Sequence, residues 1–205
     1  MKSIAILGAS GHGKVVAEIA ELCGFDSIIF FDDNNAIKSL ESWKVIGDTH
    51  NLLSHVSSFD ACFVAIGDNN VRVKKTELLK NKNANIVSLI HPSAYVSEYS
   101  LIKKGTVVMA NASINPYASI GESCIVNTSS TIEHDCLIGS GVHISPNTAL
   151  AGGVRVGDKT SVGIGSSIRQ NIEIGDNVII GTGSVVITNI PDNVVAFGVP
   201  AKIES

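Results

Sequence analysis

From Ile90 to Val186, every sixth residue is aliphatic. Ile90, Val96, Ile102 and Val108 open the series, and all seventeen positions keep one phase without insertion. Four residues after each comes a second series, from Ala94 and Ser100 to Ser184 and Ile190, in which most members are small. A period of six fits neither the 3.6 of a helix nor the simple alternation of a hairpin. It is the signature of a hexapeptide solenoid, in which each short strand buries one side and stacks on the rung below. A small residue and the next aliphatic lie two apart, so both face inward on one strand. The three residues between strands form outward corners.

The first 85 residues follow a different pattern. "SIAILG" (3–8) reads as a buried strand. "HGKVVAEIAEL" (12–22) places Val15, Val16, Ile19, Ala20 and Leu22 at helical spacing. "SIIFFDD" (27–33) and "ACFVAIGDN" (61–69) read as further strands, and "NVRVKKTELLKNK" (70–82) as a surface helix. Such alternation implies a short parallel sheet with crossover helices. The expected division is an α/β domain over 1–85, half of a dinucleotide-binding fold, and a β-helix over 86–205.

Composition excludes several classes. The chain has 205 residues, net charge −4 and scattered Lys and Arg, so no basic stripe points to nucleic acid. No apolar run approaches the ~20 residues of a membrane span, and the start has no secretory pattern. Four cysteines without CxxC spacing fit reduced thiols in a cytoplasmic protein.

Only 17% of residues are charged, yet "TIEHDC" (131–136) packs Glu133, His134 and Asp135 together. The phase puts these three on one corner, with Cys136 pointing inward. If a turn takes eighteen residues, the next corner is Ala151–Gly152–Gly153 and the preceding one Asn115–Pro116–Tyr117. Bare glycines beside His134 leave room for a ligand. A histidine near neutrality can take the proton of an attacking amine or hydroxyl, and Glu133 or Asp135 can fix its tautomer. Cys136 is a nucleophile by type but a core residue by position. Gly163 and Gly181, and Gly165 and Gly183, stack as a side-chain-free strip, whereas Gly121, Gly139, Gly157 and Gly175 form a ladder that implies no ligand.

In the N-terminal half, "GASGHGK" (8–14) joins a strand to a helix, where backbone N–H groups meet phosphate. Asp32 and Asp33 end the second strand. The domain is short for NAD and long enough for one nucleotide.

The hexads and the closing "GVPAKIE" (198–204) resemble the hexapeptide-repeat acyltransferases, which form a left-handed β-helix with three hexads per turn. "NTSSTIEHDC" (127–136) with "GVHIS" (141–145) resembles the bacterial sugar O- and N-acetyltransferases that join a nucleotide-binding domain to such a helix, the nearest being UDP-N-acetylbacillosamine N-acetyltransferases. That resemblance implies acetyl-CoA as co-substrate, no metal, a homotrimer, and transfer to the 4-amino group of a UDP-linked 4-amino-4,6-dideoxy sugar. It implies His134 as general base with Asp135, the acid after it, raising its basicity, and His143, Ile164 and Thr182 as acetyl-CoA contacts, His143 serving a site between subunits. It implies Ser10, Gly11, His12, Asp32, Asp33 and Gly67 as nucleotide-sugar contacts. O-acetylation of a sugar such as sialic acid is the alternative. A zinc hydratase would need three stacked histidines, and His134, His143 and His91 do not share a face. A nucleotide sensor or a purely structural repeat would have no use for the His–acid corner. His50 and His55 read as surface residues.

Overall fold

The structure is a computed structural model and describes residues 1–204. The chain forms two compact units, one ending at Ile90 and the other beginning at His91.

The first unit is built on a three-stranded parallel sheet. β1 (Ser3–Leu7) lies between β2 (Ser27–Phe31) and β5 (Ala61–Val64). α1 (Gly11–Leu22) follows β1, and α3 (Asn69–Asn81) follows β5. Between β2 and β5 lie a two-strand ribbon, β3 (Ser39–Leu40) with β4 (Trp43–Lys44), the short helix α2 (Thr49–Ser54), and a 3₁₀ turn. The core is aliphatic and aromatic, with Ile4, Ile6, Phe30, Phe63, Leu52 and Leu79 fully enclosed. α1 buries Val16, Ile19 and Ala20, but Val15 is 38% and Leu22 51% exposed. The apolar face of α1 is therefore narrower than its sequence spacing suggests. α3 is not simply a surface helix either, because Arg72 within it is 1% exposed.

The second unit is a solenoid of two-residue strands stacked on three faces. The first face runs Tyr95–Val96, Ser113–Ile114, Thr131–Ile132, Ala149–Leu150, Ser167–Ile168 and Val185–Val186. The second runs from Leu101–Ile102 to Glu173–Ile174. The third includes Val107–Val108, Ile125–Val126, His143–Ile144, Ser161–Val162 and Ile179–Ile180. Register partners are eighteen residues apart, as in Ser113↔Thr131 and Thr131↔Ala149. Every member of the sixfold aliphatic series from Val108 to Val186 is at most 5% exposed. Val96 and Ile102 are only half-buried, because first-turn strands have one neighbouring rung instead of two. Ile90, the first of the series, is 37% exposed and falls in the other unit.

Inward hydroxyls donate either to a carbonyl of the adjoining rung, as in Thr106 Oγ1 to Gly121 O at 2.9 Å and Thr148 Oγ1 to Gly163 O at 3.0 Å, or to one three residues back on their own rung, as in Ser130 Oγ to Asn127 O at 2.7 Å. The last turn departs from the sixfold phase. Ile190 pairs with Ile174, sixteen residues back, and so takes an aliphatic position where the phase puts a small one. Asn189 makes the shortcut possible: its Oδ1 accepts the Glu173 N–H at 3.0 Å, where a strand carbonyl would otherwise stand.

Candidate functional site

One candidate site is the solenoid corner at Glu133–His134–Asp135. The corner is laced to both neighbours. Glu133 N–H donates to Leu150 O (3.0 Å), Asp135 N–H to Pro116 O (3.2 Å), and Gly153 N–H to His134 O (2.9 Å). Asp135 sits at φ +62°, a left-handed conformation that Asp tolerates better than most residues. Its Oδ2 lies 2.8 Å from His134 Nδ1. A carboxylate can only accept, so Nδ1 carries the hydrogen, and in the neutral ring Nε2 presents its lone pair. Asp135, not Glu133, is the carboxylate at bonding distance. The His134 and Asp135 side chains are each more than 60% exposed.

Gly152 has a more specific purpose than leaving room for a ligand. A Cβ there would stand 2.5 Å from His134 Cε1 and 2.6 Å from Nε2. The imidazole itself lies over this glycine. Any side chain at 152 would lift the ring from its place.

Cys136 is enclosed, and its Sγ donates to Ala151 O at 3.3 Å. Burial raises its pKa to about 11, so at neutral pH it is a thiol and a poor nucleophile.

His143 lies on the third face, between Ile125 and Ser161, and His134 on the corner after the first. Asn127 Nδ2 donates to His143 Nε2 at 3.1 Å. The amide is oriented by Thr128 N–H, which donates to its Oδ1 at 2.8 Å. Asn127 opens the quoted "NTSSTIEHDC" segment, but the motif does not reveal its contact with His143. Rung arithmetic exposes it, since Ile125 is the register partner of His143 and Asn127 is the corner two residues on.

Ile164 and Thr182 occupy equivalent corners on successive rungs, both exposed. The glycines beside them divide into two kinds. A Cβ at Gly163 would strike Ile180 O at 2.6 Å, so close packing of rungs demands glycine there. Gly165 and Gly183 meet nothing within 4 Å. Their positive φ does not require glycine, because Asn111, Asn147, Lys159 and Asn171 adopt the same conformation. The ladder from Gly121 to Gly175 is of the first kind: a Cβ at Gly139 would stand 2.8 Å from Asp158 N.

The second candidate site lies in the N-terminal unit, at the carboxyl ends of β1 and β5. Gly8 (φ +115°) and Gly13 are closed: a Cβ at Gly8 would reach Ala65 O at 2.6 Å, and one at Gly13 the carbonyl of Gly8. Gly11 and Gly67 have open space and no positive φ. Ser10 is the N-cap of α1 without a capping side-chain bond, and His12 sits half-buried in the first turn. A helix N-terminus with no acid in its first turn suits a phosphate.

The two acids after β2 are braces. Asp32 Oδ2 accepts from Ala9 N–H (2.7 Å) and Oδ1 from Asn34 N–H (2.8 Å), tying the glycine loop to β2. Asp33 accepts from Thr49 N–H (2.9 Å) and Lys75 Nζ (2.6 Å). Burial alone would raise the Asp33 pKa, but the Lys75 and Thr49 bonds outweigh it and bring it to about 2. A polar pocket of about 360 Å³ opens beside Asp32, lined by Asn35, Lys38, Gly47 and Asn51 among others. Arg72 holds the loop carrying Gly67, donating to Ile66 O and Gly67 O at 2.9 Å and to Asn69 Oδ1 at 2.7 Å. Among the described residues, no group of three His, Cys, Asp or Glu could hold a metal, and no helix is long and apolar enough to cross a membrane.

A solenoid of hexads with a His–Asp corner, in a chain that also carries an α/β unit with a three-stranded parallel sheet, defines a hexapeptide-repeat transferase. Comparison with known proteins narrows the class. Residues 3–79 match the PglD N-terminal domain, and residues 153–188 the bacterial transferase hexapeptide family. A His-to-Asn variant of perosamine N-acetyltransferase from Caulobacter crescentus, solved with CoA and GDP-perosamine, is 36% identical over 100% of this chain and 98% of that one, with a TM-score of 0.97. The acetyltransferase domain of PglB from Neisseria gonorrhoeae, solved with acetyl coenzyme A, is 39% identical over 99% of both chains, with a TM-score of 0.96. UDP-N-acetylbacillosamine N-acetyltransferase of Bacillus subtilis is 38% identical over an alignment of 117 positions that covers 54% of this chain and 52% of that protein. The chain belongs to the hexapeptide-repeat sugar N-acetyltransferase family that carries a PglD-type N-terminal domain.

Proposed function

We propose that the protein transfers an acetyl group from acetyl-CoA to the 4-amino group of a UDP-linked 4-amino-4,6-dideoxy sugar. One observation carries the catalytic part: Asp135 fixes Nδ1–H of His134 at 2.8 Å, with the ring laid over Gly152 and Nε2 presented as acceptor. The neutral amine attacks the thioester carbonyl and forms the C–N bond. His134 Nε2 takes the amine proton as that bond forms. The tetrahedral species collapses, the C–S bond breaks, and the proton passes to the departing sulfur to give CoA-SH. Asp135 stabilises the imidazolium in between. Glu133 adds negative charge at the same corner. The thiol state of Cys136 supports direct attack without an acyl-enzyme.

His143, turned by Asn127, is assigned to the acetyl donor, with Ile164 and Thr182 along the pantetheine arm over the open glycines. Because His134 and His143 lie on different faces of one solenoid, we place His143 of the partner subunit beside His134, in a homotrimer. Ser10, Gly11, His12 and Gly67 are assigned to the nucleotide diphosphate. Asp32 and Asp33 shape its loop and offer their remaining lone pairs to it. UDP is favoured by the name of the Bacillus relative, whereas the Caulobacter relative was solved with a GDP-sugar.

The test is a panel of UDP-, dTDP- and GDP-linked 4-amino sugars, with sialic acid as an O-acceptor, each incubated with acetyl-CoA. Release of CoA-SH with UDP-4-amino sugar and not with sialic acid supports the proposal. Preference for the GDP-sugar overturns the choice of base, and transfer to sialic acid alone overturns N-acetylation. Sedimentation as a monomer at micromolar concentration would contradict the shared site.

A further inference from the structure

Two aromatic rings continue the corner that carries His134 and Asp135. Tyr99, Tyr117 and Asp135 are each eighteen residues apart, so they stand on successive rungs of one edge. Tyr117 is tied to the catalytic rung through its neighbour, since Asp135 N–H donates to Pro116 O at 3.2 Å. The rings of Tyr99 and Tyr117 stack with centroids 5.8 Å apart and planes inclined by 30°. Yet Tyr99 is 62% and Tyr117 65% exposed.

The backbone makes Tyr117 stand out further. It sits at φ +64°. Among the described residues, the other positive-φ solenoid corners in this phase hold Asn, Asp, Ser, Lys or Gly. Those residue types are small, locally hydrogen-bonding or flexible, and the left-handed region suits them better than a bulky ring. A tyrosine there gains the fold little, because most of its surface stays in water. The strain and the exposure together point away from packing and toward a ligand.

The ligand chemistry follows from position and from the ring. A rung spacing of about 4.8 Å separates adjacent strands. Tyr117 stands one rung before Asp135, and the imidazole lies over Gly152, one rung after it. The two therefore mark the ends of a span of about two rungs, within reach of one nucleotide-linked sugar. An aromatic face accepts the C–H side of a pyranose while the phenol tip remains hydrated. A 6-deoxy sugar presents a methyl group in place of a hydroxyl, and that edge is apolar. Resting on the function proposed above, we infer that Tyr99 and Tyr117 form the platform that positions the acceptor sugar beside His134 and selects a 6-deoxy ring. They are positioning residues and take no part in proton transfer.

The experiment compares wild type with Tyr117→Asn, Tyr117→Phe and Tyr99→Ala. Acceptors are a UDP-linked 4-amino-4,6-dideoxy sugar and its 6-hydroxyl counterpart, with acetyl-CoA varied separately. Asn suits the left-handed corner, so Tyr117→Asn should melt no lower than wild type. Its acceptor KM should rise about tenfold, as for loss of one aromatic contact, with acetyl-CoA KM unchanged. Its preference for the 6-deoxy acceptor should fall in the same proportion. Tyr117→Phe keeps the face and should behave as wild type, and Tyr99→Ala should show a smaller rise. Acceptor KM within about twofold of wild type in both Tyr117→Asn and Tyr99→Ala overturns the inference alone. So does a change in sedimentation without a change in selectivity, which would assign the rings to a contact between copies. Failure of the wild type to acetylate any nucleotide-linked amino sugar overturns the functional reading, and this inference with it.

Discussion

The two units use glycine for the same pair of purposes, in unrelated folds. In the N-terminal loop, Gly8 and Gly13 are closed against backbone, while Gly11 and Gly67 face open space. In the solenoid, Gly121, Gly139 and Gly163 are closed, while Gly165 and Gly183 are open. Gly152 is a third kind, closed by a side chain, the His134 imidazole. A glycine demanded by the fold has a backbone atom where its Cβ would be. The open glycines have nothing there, and at Gly165 and Gly183 backbone conformation alone does not explain the choice, since Asn and Lys adopt it at equivalent corners.

The largest effect should come from the third kind. His134→Ala should lower turnover by the ~10²–10⁴ of lost acid–base catalysis, with the melting temperature intact. Gly152→Ala should give a large part of that loss by displacing the ring, and a crystal structure of the variant should show His134 moved. A Gly152→Ala enzyme with normal turnover would break the link between this glycine and the base.

Next come the closed glycines. Gly139→Ala puts a Cβ 2.8 Å from Asp158 N. Rungs on both sides forbid an easy shift, so it should cost about 1–3 kcal/mol, read as a lower midpoint in urea. Open glycines should behave oppositely. Gly11→Val should keep stability within about 0.5 kcal/mol and weaken UDP binding, measured by calorimetry. Cys136→Ser should stay active, since the hydroxyl can donate to Ala151 O as the thiol does.

The smallest effect belongs to Asp33. Its pKa is depressed to about 2, so its contribution to stability is complete above the unfolded value near 3.9 and is lost as pH falls toward 2. Asp33→Asn should therefore flatten the stability profile of the N-terminal unit in that acid window and leave its slope near neutrality unchanged.

The solenoid is legible in the sequence because one rule, repeated every six residues, fixes which side of each strand is buried. The His134 corner follows from phase alone, and so does the enclosure of Cys136. The exceptions are where a side chain imitates backbone. Nothing in the hexad count reveals that Asn189 shortens the last turn, because its amide oxygen replaces a carbonyl that the count takes for granted. The N-terminal unit is less legible. β3, β4 and α2 have two to six residues each, too short for a period to show. Arg72 reads as a surface cation until the loop carbonyls of Ile66 and Gly67 are seen to enclose it. The residues alone leave either flanking acid as the partner of His134, the family resemblance points to Asp135, and the corner's geometry brings Asp135 to Nδ1.

The shortened last turn also decides where the molecule stops growing. A stack of identical parallel rungs has no intrinsic end, and its last edge is a template for further strands. On the second face, the sixteen-residue turn leaves only the single bridge of Ile190 to Ile174, followed at once by Pro191, which has no N–H to offer. On the third face, Val195–Gly198 pairs with Ile179–Ile180 on one side and with the antiparallel strand Ala201–Ile203 on the other. A reversed strand cannot seat the next parallel rung in register. Asn189 and the closing hairpin thus keep a further parallel rung from seating on two of the three faces.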